Sequence, residues 1–273
     1  MSHKPVSSRT ALVTGADGGL GLEIARQLSV QHAHVILHAR TAALGEQAVR
    51  ALVAGGAQAR RLSVVTADFA DLGQVGAMAR QVAAEHRNLD LLVNNAAVFG
   101  SQTRTLTADD HELTFQVNYL APYLLTRLLW PVLTFSPGSR VVNVSSALHR
   151  GGRLHWGDVD SAKRYSAVAA YAQSKLALNL FTKAVAVRGG TDLVAASVHP
   201  GILATEMVRN YTREVGRPVT EGATAVVHLA SAPVEDGGYY EGIAASAPNL
   251  LMNDKSSVDR LWKLSARLVG LAA

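Results

Sequence analysis

Tyr171 and Lys175 stand four residues apart in Y-A-Q-S-K, a spacing that puts a phenol and an ammonium on one face of a helix. A cation beside a phenol favours the phenolate and lowers a pKa that starts near ~10, so the pair could pass a proton to or from a carbonyl or alcohol oxygen. Tyrosine and lysine at this spacing also occur on helix faces with no chemistry, so the other reactant must come from elsewhere in the chain. Ser145 and Ser146 close the apolar run R-V-V-N-V-S, where a hydroxyl at a strand end could hold a substrate oxygen, although serines there also start turns. Asn118, in F-Q-V-N-Y-L, reads from periodicity as a hydrogen-bonded polar residue of a helix and nothing more.

The elements that must position these groups alternate strand and helix. T-A-L-V, at 10 to 13, is a short apolar run that ends in T-G-A-D-G-G-L-G, and helical spacing of apolar residues follows from Leu20 to Leu28. Gly15, Gly19 and Gly21 let the backbone turn sharply and approach a pyrophosphate, whose charge then faces the positive end of the next helix. A second strand, H-V-I-L-H, leads to Ala39-Arg40, where a dinucleotide fold reads the adenosine ribose. An acidic residue there would bond the 2′-hydroxyl, whereas Arg40 can clamp a 2′-phosphate, so NADP(H) is favoured over NAD(H). A helix over 41–54 and a third strand, 62–66, bring Asp68 to a strand end, placed to accept the adenine amino group, with Asp71 as the better cap of the following helix. L-D-L-L-V-N-N-A-A is a fourth strand whose small terminal residues admit a cofactor beside the backbone. A long helical pattern spans 108–134, a fifth strand ends at the serines, a helix over 166–187 carries Tyr171 and Lys175, and a sixth strand, 194–198, ends in H-P-G.

Two connections are candidate covers for a substrate: residues 147–165, polar and glycine-containing around Trp156, and residues 204–219, with Met207 and Tyr211. Their apolar members predict a fairly large, apolar small-molecule substrate, while Arg153 and Arg209 leave room for a carboxylate. A final helix over 256–271 is amphipathic and expected to dock on the core.

Composition narrows the class further. With 273 residues, 48% hydrophobic, 17% charged and a mean hydropathy of +0.13, the chain has the apolar content of a sheet covered on both faces. One domain over 1–273 is expected. The absence of cysteine excludes disulfides, a thiolate nucleophile and cysteine metal sites, and fits a cytoplasmic address. His149 and His155 lack ligand spacing, so no metal is expected. The net charge of +5 is scattered without basic runs, which argues against nucleic acid, and no run is long and apolar enough to predict a membrane span.

T-G-A-D-G-G-L-G, Asp68, N-N-A-A, Asn118, V-V-N-V-S-S, Y-A-Q-S-K and H-P-G follow one another in the order and approximate spacing of the short-chain dehydrogenase/reductases, which the chain resembles from Thr10 to Thr205. S-S-A-L-H-R, K-R-Y-S-A and E-G-A-T with a later G-G-Y-Y look like the retinol-dehydrogenase-like branch. The resemblance implies a Rossmann-type α/β fold, doubly wound on a mostly parallel seven-stranded sheet with helices on both faces. It implies a catalytic tetrad of Asn118, Ser146, Tyr171 and Lys175. Tyr171 would exchange the proton, Ser146 hold the substrate oxygen, Lys175 hold the nicotinamide ribose, and Asn118 position a water leading to solvent. Family cofactor contacts fall on Gly15, Gly19, Leu20, Gly21, Arg40, Asp68, Asn94, Ala96, Tyr171, Lys175, Ile202 and Thr205; substrate contacts are expected at Ser146, Trp156, Met207 and Tyr211. Relatives pair through the helices bearing Asn118 and Tyr171, which implies a homodimer or homotetramer, with a monomer as the alternative. Ala97 departs from the usual N-N-A-G. The alternatives are another reaction on the same site, such as double-bond reduction, dehydration or cyclisation, or a dinucleotide-binding regulator without chemistry.

Overall fold

The computed structural model describes residues 9–31, 33–211 and 215–273, with the side chain of Tyr211 outside that description. Apolar runs that alternate with amphipathic helices form one sheet in the order β3-β2-β1-β4-β5-β6-β7-β8. The strands are β1 (Thr10–Val13), β2 (His34–Ala39), β3 (Leu62–Thr66), β4 (Leu91–Asn94), β5 (Ser139–Val144), β6 (Leu193–His199), β7 (Gly238–Glu241) and β8 (Ala244–Ala245). All pairs through β7 are parallel. Seven strands were expected and eight form. Gly242 at φ 58° turns the chain back after β7, so Ala244–Ala245 adds a two-residue antiparallel edge.

Apolar side chains line both faces of the sheet and build two cores. One gathers Ile24, Leu28, Leu37, Val93 and Val226, and the other Phe115, Tyr119, Tyr123, Leu176 and Phe181. Fully buried parallel strands need cover on both faces, which explains the composition. The strand order reverses between β1 and β4, so a crevice opens beyond their carboxyl ends, the place where such sheets bind ligands.

The α-helices are α1 (Gly19–Val30), α2 (Ala42–Ala54), α3 (Leu72–Glu85), α4 (Leu113–Phe115), α5 (Ala121–Leu128), α6 (Trp130–Leu133), α7 (Ala167–Gly189), α8 (Glu206–Tyr211), α9 (Val219–Leu229) and α10 (Lys255–Leu268); α1, packed beside α9, and α7, which carries Tyr171 and Lys175, frame the crevice. Ser166 caps α7, its hydroxyl accepting from the Ala169 N–H. Asp71 caps the helix Leu72–Glu85 as expected, accepting from the Gln74 N–H at 3.1 Å. The C-terminal helix Lys255–Leu268 docks on α7 as its apolar face requires: Trp262 stacks on Phe181 and the Tyr119 and Ser265 hydroxyls are 2.5 Å apart. No helix among the described residues is long and apolar enough to cross a membrane.

The long helical pattern over 108–134 is the chief difference from expectation. Helix begins only at Leu113, after a bridge between Leu106 and Glu112, and Glu112 caps it through both carboxylate oxygens. Residues Gln116–Leu120 then form a single π turn, closed by the Ala121 N–H donating to the Gln116 carbonyl five residues back. Pro122 causes the break in register, because it has no N–H for the carbonyl of Asn118 four residues earlier. All five residues of the turn are buried, so the apolar pattern across it does not distinguish an α from a π turn.

Candidate active site

A cleft of about 1130 Å³ opens at the carboxyl ends of the strands, lined by the glycine loop, the ends of β2 to β6 and the first turns of α7. Gly15, Gly19, Leu20, Gly21, Arg40, Asp68, Ala96, Ser146, Tyr171, Lys175, Ile202, Thr205 and Met207 all line it. Residues from seven separate stretches of sequence thus meet in one crevice.

The phosphate end is built from backbone. Gly15 and Gly19 have φ of 61° and 50°, the left-handed region where glycine is unstrained, and a Cβ on Gly21 would collide with the Gly15 carbonyl. Gly18, before α1, offers no side-chain cap, so the first amides of that helix face the cleft with their partial positive charge. Thr14 and Asn95 knit this loop to β4. The Asn95 and Ala96 N–H groups donate to Thr14 Oγ1 at 2.9 and 3.0 Å, and Asn95 Nδ2 donates to the Thr14 carbonyl at 2.8 Å. These features fit a dinucleotide pyrophosphate: an uncapped helix start, a cradle that any side chain would fill, and space beyond it. Arg40 is exposed at the cleft rim. Asp68 accepts from the Ala70 N–H and its own N–H donates to Gln74 Oε1, which fixes the chain just past the end of β3.

At the other end lie Ser146, Tyr171 and Lys175. Ser146, at the close of β5, and Tyr171 line the same end of the cleft, and the Ser146 hydroxyl acts to lower the phenol's pKa. Tyr171 is 9% exposed and stacks on Phe99, with ring centroids 4.8 Å apart. Lys175 is 2% exposed; its Nζ donates to the Val144 carbonyl at 2.9 Å and sits 5.5 Å from the Tyr171 ring centroid. The expected acidified phenol is not what the protein alone presents. Burial pushes Tyr171 up to about 12, against the pull of the Ser146 hydroxyl, and burial pushes Lys175 down to about 7. Desolvation penalises both charged forms, and the ammonium is directed at a carbonyl rather than the phenol oxygen.

Asn118 does not line the cleft. From the π turn its side chain holds Val98 at both backbone groups, accepting from the N–H at 2.7 Å and donating to the carbonyl at 2.9 Å, and it also donates to Ser174 Oγ at 3.1 Å. It therefore fixes the segment that presents Phe99 and the helix that presents Tyr171.

Two expected contacts turn elsewhere. The Asn94 side chain is buried and donates to Asn143 Oδ1 at 2.8 Å, because alternation along β4 points it at the core, and Asn95 faces the cleft instead. Trp156 lies away from the cleft, under the Arg260 guanidinium at 4.4 Å. Gln173 of α7 pins its neighbours, accepting from the His155 N–H and donating to the Val159 carbonyl, so of residues 147–165 only Ala147 and Leu148 reach the site. Of the second cover, residues 204–209 line the cleft. Its stem closes through Ala204 and Arg217, its helix Glu206–Tyr211 brings Met207, and the Tyr211 side chain falls outside the described residues. Phe99 was not singled out from sequence; an apolar residue just past N-N-A-A was its only signal. No cluster of metal-binding side chains occurs among the described residues.

Residues 9–216 match the family model of short chain dehydrogenases. Mouse retinol dehydrogenase 13 is 34% identical over 291 residues, covering 99% of this chain and 86% of its own. A solved structure of an uncharacterized protein from Mycobacterium paratuberculosis has a TM-score of 0.82 and 31% identity, covering 97% and 94% of the two chains. A blue fluorescent protein from a metagenomic library, solved in complex with NADPH, has a TM-score of 0.69 and 26% identity, covering 89% and 100%.

Proposed function

The chain belongs to the short-chain dehydrogenase/reductase family, in its retinol-dehydrogenase-like branch, and from that premise we propose that it is an NADP(H)-dependent oxidoreductase that reduces the carbonyl of a fairly large, apolar substrate at neutral pH. One observation carries the proposal: the Ser146–Tyr171 hydroxyl pair converges at the end of a cleft whose other end is a phosphate-shaped glycine loop.

The loop and first turn of α1 would hold the pyrophosphate, Arg40 the 2′-phosphate, Asp68 the adenine, and Lys175 the nicotinamide ribose. When bound, NADPH supplies a hydride from nicotinamide C4 to the carbonyl carbon. Ser146 and Tyr171 hold the carbonyl oxygen between two donors, which stabilises the negative charge that grows on it. Tyr171 gives that oxygen its phenolic proton, and the C=O π pair becomes the new O–H bond. A phenol pushed up to about 12 is protonated at neutral pH, the form that can donate. Phe99, Leu113, Val117, Val168, Met207 and Val208 make the substrate end apolar. A neighbour solved with NADPH and relatives named for retinol agree with this choice of cofactor and substrate class.

The test is NADPH oxidation over a panel of long-chain and polyene aldehydes and ketones, with NADH in parallel. Turnover with at least one apolar carbonyl, faster with NADPH, is expected. Binding of the dinucleotide without turnover across the panel would reduce the chain to a cofactor-binding regulator.

A further inference from the structure

His38 is buried in the middle of the cofactor-binding end, and the chemistry above makes no use of it. Its ring spans two elements. The Gly15 N–H donates to Nδ1 at 3.0 Å, and Nε2 lies 3.0 Å from the Ala67 carbonyl. A backbone N–H can only donate and a carbonyl can only accept, so both contacts are satisfied by one form alone, the neutral imidazole with its proton on Nε2. Phe69 stacks on the ring at 4.4 Å and fixes its plane.

Resting on the proposed dinucleotide site, we infer that His38 is a positioning residue for the cofactor: its neutral Nε2–H tautomer ties the turn at Gly15 to the end of β3 and so holds the glycine loop in the shape that receives the pyrophosphate. The loop's neighbours make this a demanding position. Gly15 sits at φ 61°, and a Cβ there would stand 3.0 Å from Ala96, so the turn has little room to shift. The Ala16 N–H also donates to the His38 carbonyl, at 2.8 Å, so one residue grips two consecutive loop residues. Asn95 grips the same turn from β4.

A second proton on Nδ1 would point N–H at N–H and release Gly15. The groups facing the ring act in opposite directions: burial holds it neutral, while the Ala67 carbonyl and the carboxylates Asp17 and Asp68 favour the charged form. The net effect holds His38 below the ordinary histidine value, so the clasp is intact at neutral pH and opens only as the solution becomes clearly acidic.

The experiment is calorimetric titration of NADP⁺ into the full-length wild type, His38→Gln and His38→Phe, between neutral pH and mild acid. Glutamine offers an uncharged acceptor and donor at a separation close to that of the ring nitrogens; phenylalanine keeps the stack and removes both bonds. At neutral pH, His38→Phe should bind roughly tenfold more weakly, the scale of a buried hydrogen bond lost, and His38→Gln should restore most of the affinity. On acidification the wild type should weaken more than His38→Gln, which carries no titratable group there. Should His38→Phe fail to fold, that comparison still decides. Equal acid profiles for the wild type and His38→Gln, or unchanged binding by a folded His38→Phe, would overturn the inference. So would tighter wild-type binding in acid, which would make the imidazolium a phosphate ligand. If the wild type binds no NADP⁺ even at neutral pH, the dinucleotide reading falls and this inference falls with it.

Discussion

Burying Lys175 should leave a signature in the stability of the protein that needs no substrate to read. Its ammonium is pushed down to about 7 by desolvation, against an ordinary value of 10.5 in the unfolded chain. Between those values the unfolded chain binds a proton that the folded chain does not, so stability rises with pH across that window, and the gain levels off below it. From pH 7 to 9 the rise integrates to about 2 kcal/mol, given ~1.4 kcal/mol per pH unit and half-protonation at the lower end. For a chain of this length that is a Tm increase of about 5 °C. Lys175→Met removes the titrating group while filling most of its volume, and other ionising groups, common to both proteins, cancel in the difference. Differential scanning calorimetry of both proteins at the two pH values should therefore show the wild type gaining about 5 °C more than the variant. A wild type whose Tm tracks that of the methionine variant would mean that Lys175 stays an ammonium in the folded protein, and would refute the account of a desolvated site.

Other perturbations follow from the same geometry. Tyr171→Phe keeps the stack on Phe99 but removes the proton, so NADPH affinity should persist while turnover falls by roughly two orders of magnitude or more; near-normal turnover would remove Tyr171 from the chemistry. Asn118→Ala leaves both backbone groups of Val98 without their partner, and should cost about 2 kcal/mol by denaturant unfolding. Gly21→Ala drives a methyl group into the Gly15 carbonyl, so a folded variant should have lost NADP⁺ binding by calorimetry; retained affinity would mean that the loop can move. Arg40→Asp should shift the NADP-to-NAD affinity ratio by at least about tenfold towards NAD, and a wild type that already prefers NAD would contradict the role given to Arg40.

The glycine turn was legible because its physics is local. Gly15, Gly19 and Gly21 declare a turn that needs positive φ and close approach, and a strand before and a helix after them leave few alternatives. Tyr171 and Lys175 drew notice by their spacing on a helix face, whereas the choice of Ser146 over Ser145 and the joining of the three came only from the resemblance to the family. What escaped depended on packing. Asn118 braces Val98 from a π turn set by Pro122, and neither that turn nor the long-range contact is written in the hydrophobic spacing. Trp156 was expected over the substrate, but Gln173 ties that connection to the far side of α7, a contact between distant residues that no local pattern encodes. His38 read as one residue of an apolar strand; its two partners are 23 and 29 positions away.

In the proposed reaction a hydride reaches the carbonyl carbon while Tyr171 supplies the proton. Its most direct test uses NADPH deuterated at the transferring position of nicotinamide C4, with an apolar aldehyde or ketone turned over by the wild type, and locates the label in the product by mass spectrometry and NMR. One deuterium on the carbinol carbon of the new alcohol is the predicted result. A product labelled on a neighbouring alkene carbon, or carrying no deuterium, would contradict the account.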